Sequence, residues 1–381
     1  MRPEDFQQSA NGRVIKAPGG YYAFKPARPL SSVAWDDDLV CALSRADQSV
    51  AALAGIGRTL PNPHLISGAF LRREAVLSSR IEGTQASLSD LLLLEAAPAI
   101  TPRVPDTHEV LNYVRALQYG LARLRELPVS SRLIRELHEH LLAGVRGEHL
   151  TPGQFRTTQN WIGPPGCTLD DAVYVPPVPQ DIPAALSELE QYIHRPPSLP
   201  LLIRLAVIHY QFEAIHPFLD GNGRIGRLLL TLLLCAEGTL PAPLLYLSAY
   251  FDEYRSAYYE HLRAVSTSGQ WRSWIVFFLR GVDEQSEDAV RRCRRLLTLL
   301  ERYKKLVQTT RKSALLMKLI ERLFDSPYIT VPQARDVLEV SYPTARKYVD
   351  LLVDHRILLP APSSGRERLF VAAEIISTIE H

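Results

Sequence analysis

The chain has 381 residues, 46% of them hydrophobic, with 43 Lys and Arg against 41 Asp and Glu for a formal charge of +2. That length exceeds the roughly 100–200 residues of one domain and predicts two or three units, while near-neutrality excludes a polybasic protein built to coat nucleic acid or an anionic membrane. Cys41, Cys167, Cys235 and Cys293 form no CxxC pair, and the longest apolar run, Leu228 to Ala236, is far short of the about 20 residues of a membrane span, so a disulfide framework, a zinc ribbon and a membrane segment are all disfavoured.

Residues 1–34, rich in Pro, Gly and Tyr without a helical period, are expected as an irregular arm. Leu39, Leu43, Val50, Leu53 and Ile56 then recur at helical spacing as far as Gly57, and Pro61-Asn62-Pro63 marks a loop. The next helix, about 66–81, ends at Glu82-Gly83, with Ser78 and Glu82 one turn apart on one face and Gly83 suited to end the helix. A glutamate at a helix C-terminus opposes the dipole at a cost of about 0.3–1 kcal/mol; solvent exposure is one explanation for it. Short helices follow at 87–94, 107–124 and from Ser131, the last carrying His138 and His140, which point to different sides and are expected as surface or packing residues.

Residues 150–178 have strand character: Trp161-Ile162 and Val173 to Val175, with Tyr174 between, are joined by a Gly/Pro/Asp-rich connection, as in a hairpin. An exposed hairpin edge can accept a partner's extended segment, though a plain structural hairpin fits equally. Helices near 181–194 and 198–215 lead to His216, and the second is apolar on most faces, as a buried helix is. Beyond the loop after His216, another apolar helix closes at Gly238. A helix over 271–282 and a basic connector helix from Ser286 to Lys312 follow. The segment 313–381 is expected as helices at 313–324, 331–338 and 342–352, then strands at 357–359 and 368–371 around Pro362 to Gly365, the pattern of a winged helix-turn-helix.

The stretch His216-Pro217-Phe218-Leu219-Asp220-Gly221-Asn222-Gly223-Arg224-Ile225-Gly226-Arg227 places charge between two core helices. Buried polar groups need partners, so these are expected to serve each other and a ligand. Gly221-Asn222-Gly223 before a helix lets backbone N–H groups converge on a phosphate at the helix N-terminus, and the absence of Gly-Lys-Ser/Thr disfavours a P-loop. Arg224 and Arg227, three apart, can fork onto neighbouring phosphates. Asp220 can hold Mg²⁺, which needs only one or two carboxylates when phosphates supply the other ligands. His216, with an ordinary pKa of about 6.5, can take a proton from a hydroxyl.

The twelve residues from His216 to Arg227 match the signature of Fic domain proteins at every defining position. The resemblance extends to Ser78-Ser79-Arg80-Ile81-Glu82-Gly83, similar to the family's inhibitory motif, and to Trp161-Ile162-Gly163 through Pro176-Pro177, similar to its flap. With the C-terminal segment, nearly the whole chain resembles the multidomain bacterial members. The resemblance implies an all-α Fic helical bundle with a small β-hairpin flap and a C-terminal winged helix. Its divisions would be 1–105, an N-terminal region with the inhibitory helix, 106–282, the catalytic core, 283–312, the connector, and 313–381.

The resemblance also implies transfer of AMP from ATP, with Mg²⁺, to a Ser, Thr or Tyr hydroxyl of a target protein. By that likeness His216 is the base, Asp220 the metal ligand, and Gly221, Asn222, Gly223, Arg224 and Arg227 the phosphate site. Glu82, with Ser78 and Gly83, would occupy Arg227 in the resting enzyme, and Trp161, Ile162, Tyr174 and Val175 would position the target. A cytoplasmic protein is expected. Phosphorylation, transfer of another group, and removal of AMP are the alternatives within the fold, and Arg224 in place of a lysine favours AMP. Outside it stands a nucleotide-sensing DNA-binding regulator, with Arg346, Lys347, Arg366 and Arg368 on the DNA side. Ten Lys and Arg against nine Asp and Glu over 311–381 is a weak electrostatic footprint for that role. Oligomeric state is left open, a homodimer included.

Overall fold

The computed structural model describes residues 1–6, 11–59, 63–98, 102, 104–308, 313–361 and 368–381. The Pro61-Asn62 loop, Arg311, Lys312, Arg366 and the turn at Pro362 to Gly365 lie outside the described residues. The N-terminal segment is not an irregular arm. Its β1 (Gly12–Lys16) and β2 (Tyr22–Pro26) form an antiparallel hairpin with Val14 opposite Phe24. Phe24 is fully buried, its ring 5.2 Å from Phe6 and 5.9 Å from Tyr174, so burial fixes a hairpin too short to stand out by periodicity.

Helices α1 (Asp37–Thr59), α2 (Pro63–Ile81), α3 (Leu88–Ala96), α4 (Thr107–Arg123) and α5 (Ser131–Leu142) follow the expected periodicity closely. The start of α3 is fixed by a capping box in which Ser87 accepts from the Asp90 N–H at 3.1 Å and the Asp90 carboxylate accepts from the Ser87 N–H at 3.0 Å. By length and apolarity alone α1 could cross a bilayer. Here Leu39, Ala46, Val50 and Leu53 are buried on the face that lies along α11, defined below.

After α6 (Ile182–His194) come the two central helices, α7 (Leu201–Ile215) and α8 (Asn222–Ala236). All of α7 except Leu201 and Glu213 is buried, and in α8 only Gly223, Cys235 and Ala236 escape burial. Both helices are therefore held on every side, and the loop between them inherits that rigidity. Around them pack α4, α5 and α6, with α2 against α4 and α8. Each fully buried Phe or Leu contributes about 1.5–3 kcal/mol relative to exposure.

Next are α9 (Ser248–Glu253), α10 (Arg255–Ser268) and α11 (Trp271–Val307). The expected break between a 271–282 helix and a basic connector is absent. Nothing between Val282 and Ser286 stops a helix, and one 37-residue rod results. Its basic half is not a solvated linker: Arg292 is buried, tied to Asp288 at 2.6 Å and donating to the Ile379 carbonyl at 2.7 Å.

The C-terminal segment runs α12 (Ser313–Asp325), β3 (Tyr328–Thr330), α13 (Val331–Leu338), α14 (Tyr342–Asp354), β4 (Leu359–Ala361), β5 (Leu369–Val371) and α15 (Ala373–Glu380). Its antiparallel sheet has the order β3-β5-β4. This agrees with helix-turn-helix plus hairpin, with β3 and α15 as unanticipated additions. The segment packs onto the N-terminal helices, where Gln333 Nε2 donates to the Ala96 carbonyl at 2.8 Å.

Candidate active site

The junction of α7 and α8 brings the expected residues together. His216 caps α7 in the left-handed region, φ 49° and ψ 61°, which turns the chain sharply out of the helix. Its Nδ1 lies 3.3 Å from the Glu213 carbonyl, which assigns the proton to Nδ1 and leaves the Nε2 lone pair available. Burial, and then the charge of Arg156, push its pKa down to about 4, against a smaller opposing pull from the Glu213 carbonyl, Glu82 and Asp220. The ring is therefore a neutral base at physiological pH.

Gly221 precedes α8 with φ 78°, and the first N–H groups of the helix have no intrahelical acceptors. Asp220 Oδ1 accepts from the Gly221 N–H at 2.7 Å, and Oδ2 lies 3.7 Å from Arg224, beyond hydrogen-bond reach, on a side chain 34% exposed. The Asn222 side chain faces inward instead of toward a phosphate: it accepts from the Phe218 N–H and donates to the Phe218 carbonyl, both at 2.8 Å. A phosphate contact at Asn222 thus falls to its backbone. Asn222→Ala would leave the buried Phe218 N–H unpaired, at about 1–3 kcal/mol, while the Phe218 carbonyl keeps its second donor, Asn160. Chemical denaturation should show a loss of about 1–3 kcal/mol, and an unchanged midpoint would contradict that role.

Arg224 is 1% exposed and pairs with Glu109 of α4 at 3.1 Å, a carboxylate shared with Arg146 at 3.6 Å. Sequence reasoning did not find Glu109, because a lone carboxylate on an amphipathic helix carries no signal. Arg227, 3% exposed, spends its donors on α2: Nε reaches Ser78 Oγ at 2.9 Å, and Nη2 reaches the Ser78 carbonyl at 2.9 Å and Glu82 Oε1 at 2.7 Å. Burial works to raise the Glu82 carboxyl, but the charge and hydrogen bond of Arg227 outweigh it, so its pKa falls below the ordinary value. The unfavourable position at the end of α2 is thereby compensated. Gly83 follows with φ 98°, and its N–H closes on the Arg80 carbonyl at 2.9 Å.

Gly223 has a use that phosphate geometry alone did not predict. A Cβ there would collide with Glu82 Oε1 and lie 2.9 Å from Arg227 Nη1, so the Glu82–Arg227 pair could keep its present position only over a glycine and would have to shift above any other residue.

The flap is slighter than the expected hairpin. Ile162 and Tyr174 form a single antiparallel bridge with no regular strand on either side, since Gly163, Pro164, Pro165 and Gly166 prevent extension of the ladder. Trp161 and Ile162 are 41% and 37% exposed, whereas Tyr174 and Val175 are buried. The Tyr174 hydroxyl donates to the Ala214 carbonyl at 2.8 Å, and the Val175 carbonyl accepts from the Phe24 N–H at 2.8 Å. Tyr174 and Val175 anchor the flap, and Trp161 and Ile162 are left exposed on it.

His138 also belongs to the site. It is fully buried, stacked on Phe218 with ring centroids 3.7 Å apart. Its Nδ1 accepts from the Gly153 N–H at 2.9 Å, so Nε2 carries the proton and donates to the Asp220 carbonyl at 3.0 Å. The packing role expected for it holds, and the added hydrogen bond fixes the turn that presents Asp220. His140 is exposed beside Tyr119. In the C-terminal segment Arg346 is held by Asp350 at 2.9 Å, while Lys347 and Arg368 are exposed.

Two family profiles match the chain, Fic/DOC family N-terminal over residues 40–122 and Fic/DOC family over residues 128–234. The second contains the whole loop from His216 to Arg227, and the first contains Ser78 and Glu82. The chain belongs to the Fic/DOC family. Among curated Fic relatives, the protein adenylyltransferase Fic of Drosophila grimshawi is 31% identical over 202 residues, 52% of this chain and 38% of that protein. The chain thus matches well under half the length of that relative. A Fic family protein from Desulfovibrio desulfuricans has the same fold, with a TM-score of 0.57 at 18% identity over 89% of this chain and 97% of that one. A Fic domain containing signaling protein from Bacteroides thetaiotaomicron gives 0.51 at 18% identity, over 68% of this chain and 95% of that one.

Proposed function

We propose that this Fic chain transfers AMP from ATP to a hydroxyl of a protein target and is held at rest by Glu82. The observation that carries the reading is the engagement of Arg227, whose bonds to Ser78 and Glu82 occupy a guanidinium at the N-terminal end of a helix otherwise suited to phosphate. The protein oxygen attacks the α-phosphorus, the bond to the β-phosphate bridging oxygen breaks, and pyrophosphate leaves. His216 Nε2 takes the hydroxyl proton, and the free N–H groups of α8 with Arg224 and Arg227 neutralise phosphate charge.

Asp220 fits a Mg²⁺ that arrives with the nucleotide: its carboxylate is partly exposed with one oxygen beyond hydrogen-bond reach of Arg224. Among the described residues no cluster of three His, Cys, Asp or Glu offers a cage of its own, as suits an ion held mainly by phosphates. Such an ion would supply charge neutralisation. Trp161 and Ile162 offer the exposed flap contact for the target. The test is label position: with the Glu82→Gly chain, ATP labelled at the α-phosphate should label protein and ATP labelled at the γ-phosphate should not. The reverse pattern would assign phosphorylation instead.

A further inference from the structure

A second cluster of buried polar groups, Arg156 and Asn160, meets the backbone of His216. Arg156 is 2% exposed, yet among the described residues no carboxylate forms an ion pair with it. Burial lowers its pKa to about 10, the mark of a guanidinium that has lost water without gaining a counter-charge. Its donors go to backbone carbonyls: Nε to His216 at 2.9 Å, Nη2 to Pro177 at 2.6 Å and Nη1 to Thr158 at 3.4 Å. Its own N–H donates to the Pro217 carbonyl at 2.9 Å. Four residues on, Asn160 Nδ2 donates to the Phe218 carbonyl at 2.7 Å, with the His216 carbonyl at 3.5 Å, while the buried Asn160 Oδ1 has no partner among the described residues.

The carbonyls of His216, Pro217 and Phe218 are therefore all gripped by 156–160, and the same guanidinium reaches the far arm of the flap at Pro177. An unpaired buried charge is an expensive way to satisfy carbonyls that neutral donors could serve. A non-glycine residue in the left-handed region likewise persists only when its surroundings over-determine it. We propose that Arg156, assisted by Asn160, is a positioning residue that clamps the His216 backbone in its left-handed turn and locks the catalytic loop to the flap, so that the base and the target-binding edge are held as one unit.

This inference rests on the AMP-transfer reading for its activity arm only. In the Glu82→Gly background, Arg156→Gln and Asn160→Ala should each lower kcat at least tenfold while the Kd for ATP, by calorimetry, stays within threefold. Arg156→Lys, which keeps the charge but not the fork, should recover part of the loss. The second arm needs no activity: NMR titration of ¹⁵N-labelled histidine should move the His216 titration to higher pH in Arg156→Gln and leave it nearer the starting value in Arg156→Lys. The other charged groups facing His216, Glu82 and Asp220, are the same across each comparison with its own parent.

Circular dichroism and thermal melting identify a variant that fails to fold, and Asn160→Ala, which keeps the guanidinium, then stands in for it. Unchanged kcat in both Arg156→Gln and Asn160→Ala, or loss of ATP binding in parallel with kcat, would overturn the clamp. So would a His216 titration indifferent to Arg156→Gln. If the Glu82→Gly parent transfers nothing, the AMP-transfer reading fails, and the titration still decides the role of Arg156.

Discussion

Replacing His216 with alanine should lower AMP transfer by about 10²–10⁴-fold, the range that a positioned general base supplies, while ATP still binds. The expectation follows from the division of labour in the loop. His216 presents an available Nε2, whereas the groups proposed to bind phosphate are the first turn of α8, Arg224 and Arg227. Because Nδ1 is turned to the Glu213 carbonyl and the ring is neutral down to about pH 4, the base needs no prior deprotonation at neutral pH. Calorimetry with ATP and a transfer assay on the same preparation would separate the two functions. Retained turnover in the alanine variant would remove His216 from the mechanism, and loss of nucleotide binding would place it in the phosphate site instead.

Releasing Glu82 has the opposite sign. In Glu82→Gly the Arg227 guanidinium loses its charged partner but keeps both contacts to Ser78, so the arginine stays in place and becomes available to a phosphate. A hydrogen bond between charged groups is worth about 1.5–3 kcal/mol, and each 1.4 kcal/mol is tenfold in an equilibrium, so productive ATP binding should rise by about 10- to 100-fold. Auto-modification, followed with labelled ATP, reports that gain. Equal labelling of the unsubstituted chain and the variant would show that the pair does not restrain the enzyme.

Much of this site was legible because its parts are local in sequence. Twelve consecutive residues carry base, carboxylate, glycine turn and paired arginines, and one-turn spacing puts Ser78 and Glu82 on one face, while the meeting of that face with Arg227, 145 positions on, was implied by the family resemblance alone. What escaped is the long-range support. Glu109 reaches Arg224 across 115 positions, His138 reaches Asp220 across 82, and Arg156 reaches His216 across 60, each from a segment whose own pattern is ordinary. Periodicity reports which face of a helix is buried, not which polar group it will meet there.

The same limit explains the errors in the fold. The N-terminal hairpin owes its existence to the burial of Phe24 against Phe6 and Tyr174, a tertiary cause invisible in a Pro- and Gly-rich segment. The flap shrank to a single bridge because its turn residues outweigh the strand preference of Ile162 and Val173. The rod α11 ran through an expected boundary because Asp283, Glu284 and Gln285 offer no reason to stop, while Ser49 of α1 meets Asp283 there.

The central claim, AMP transfer restrained by Glu82 and driven by His216, is tested most directly by intact-mass spectrometry of the Glu82→Gly chain after incubation with ATP and Mg²⁺, beside the same chain carrying His216→Ala. The account predicts a gain of whole AMP groups in the first and none in the second. A gain of phosphate alone, or equal modification of both chains, would contradict it.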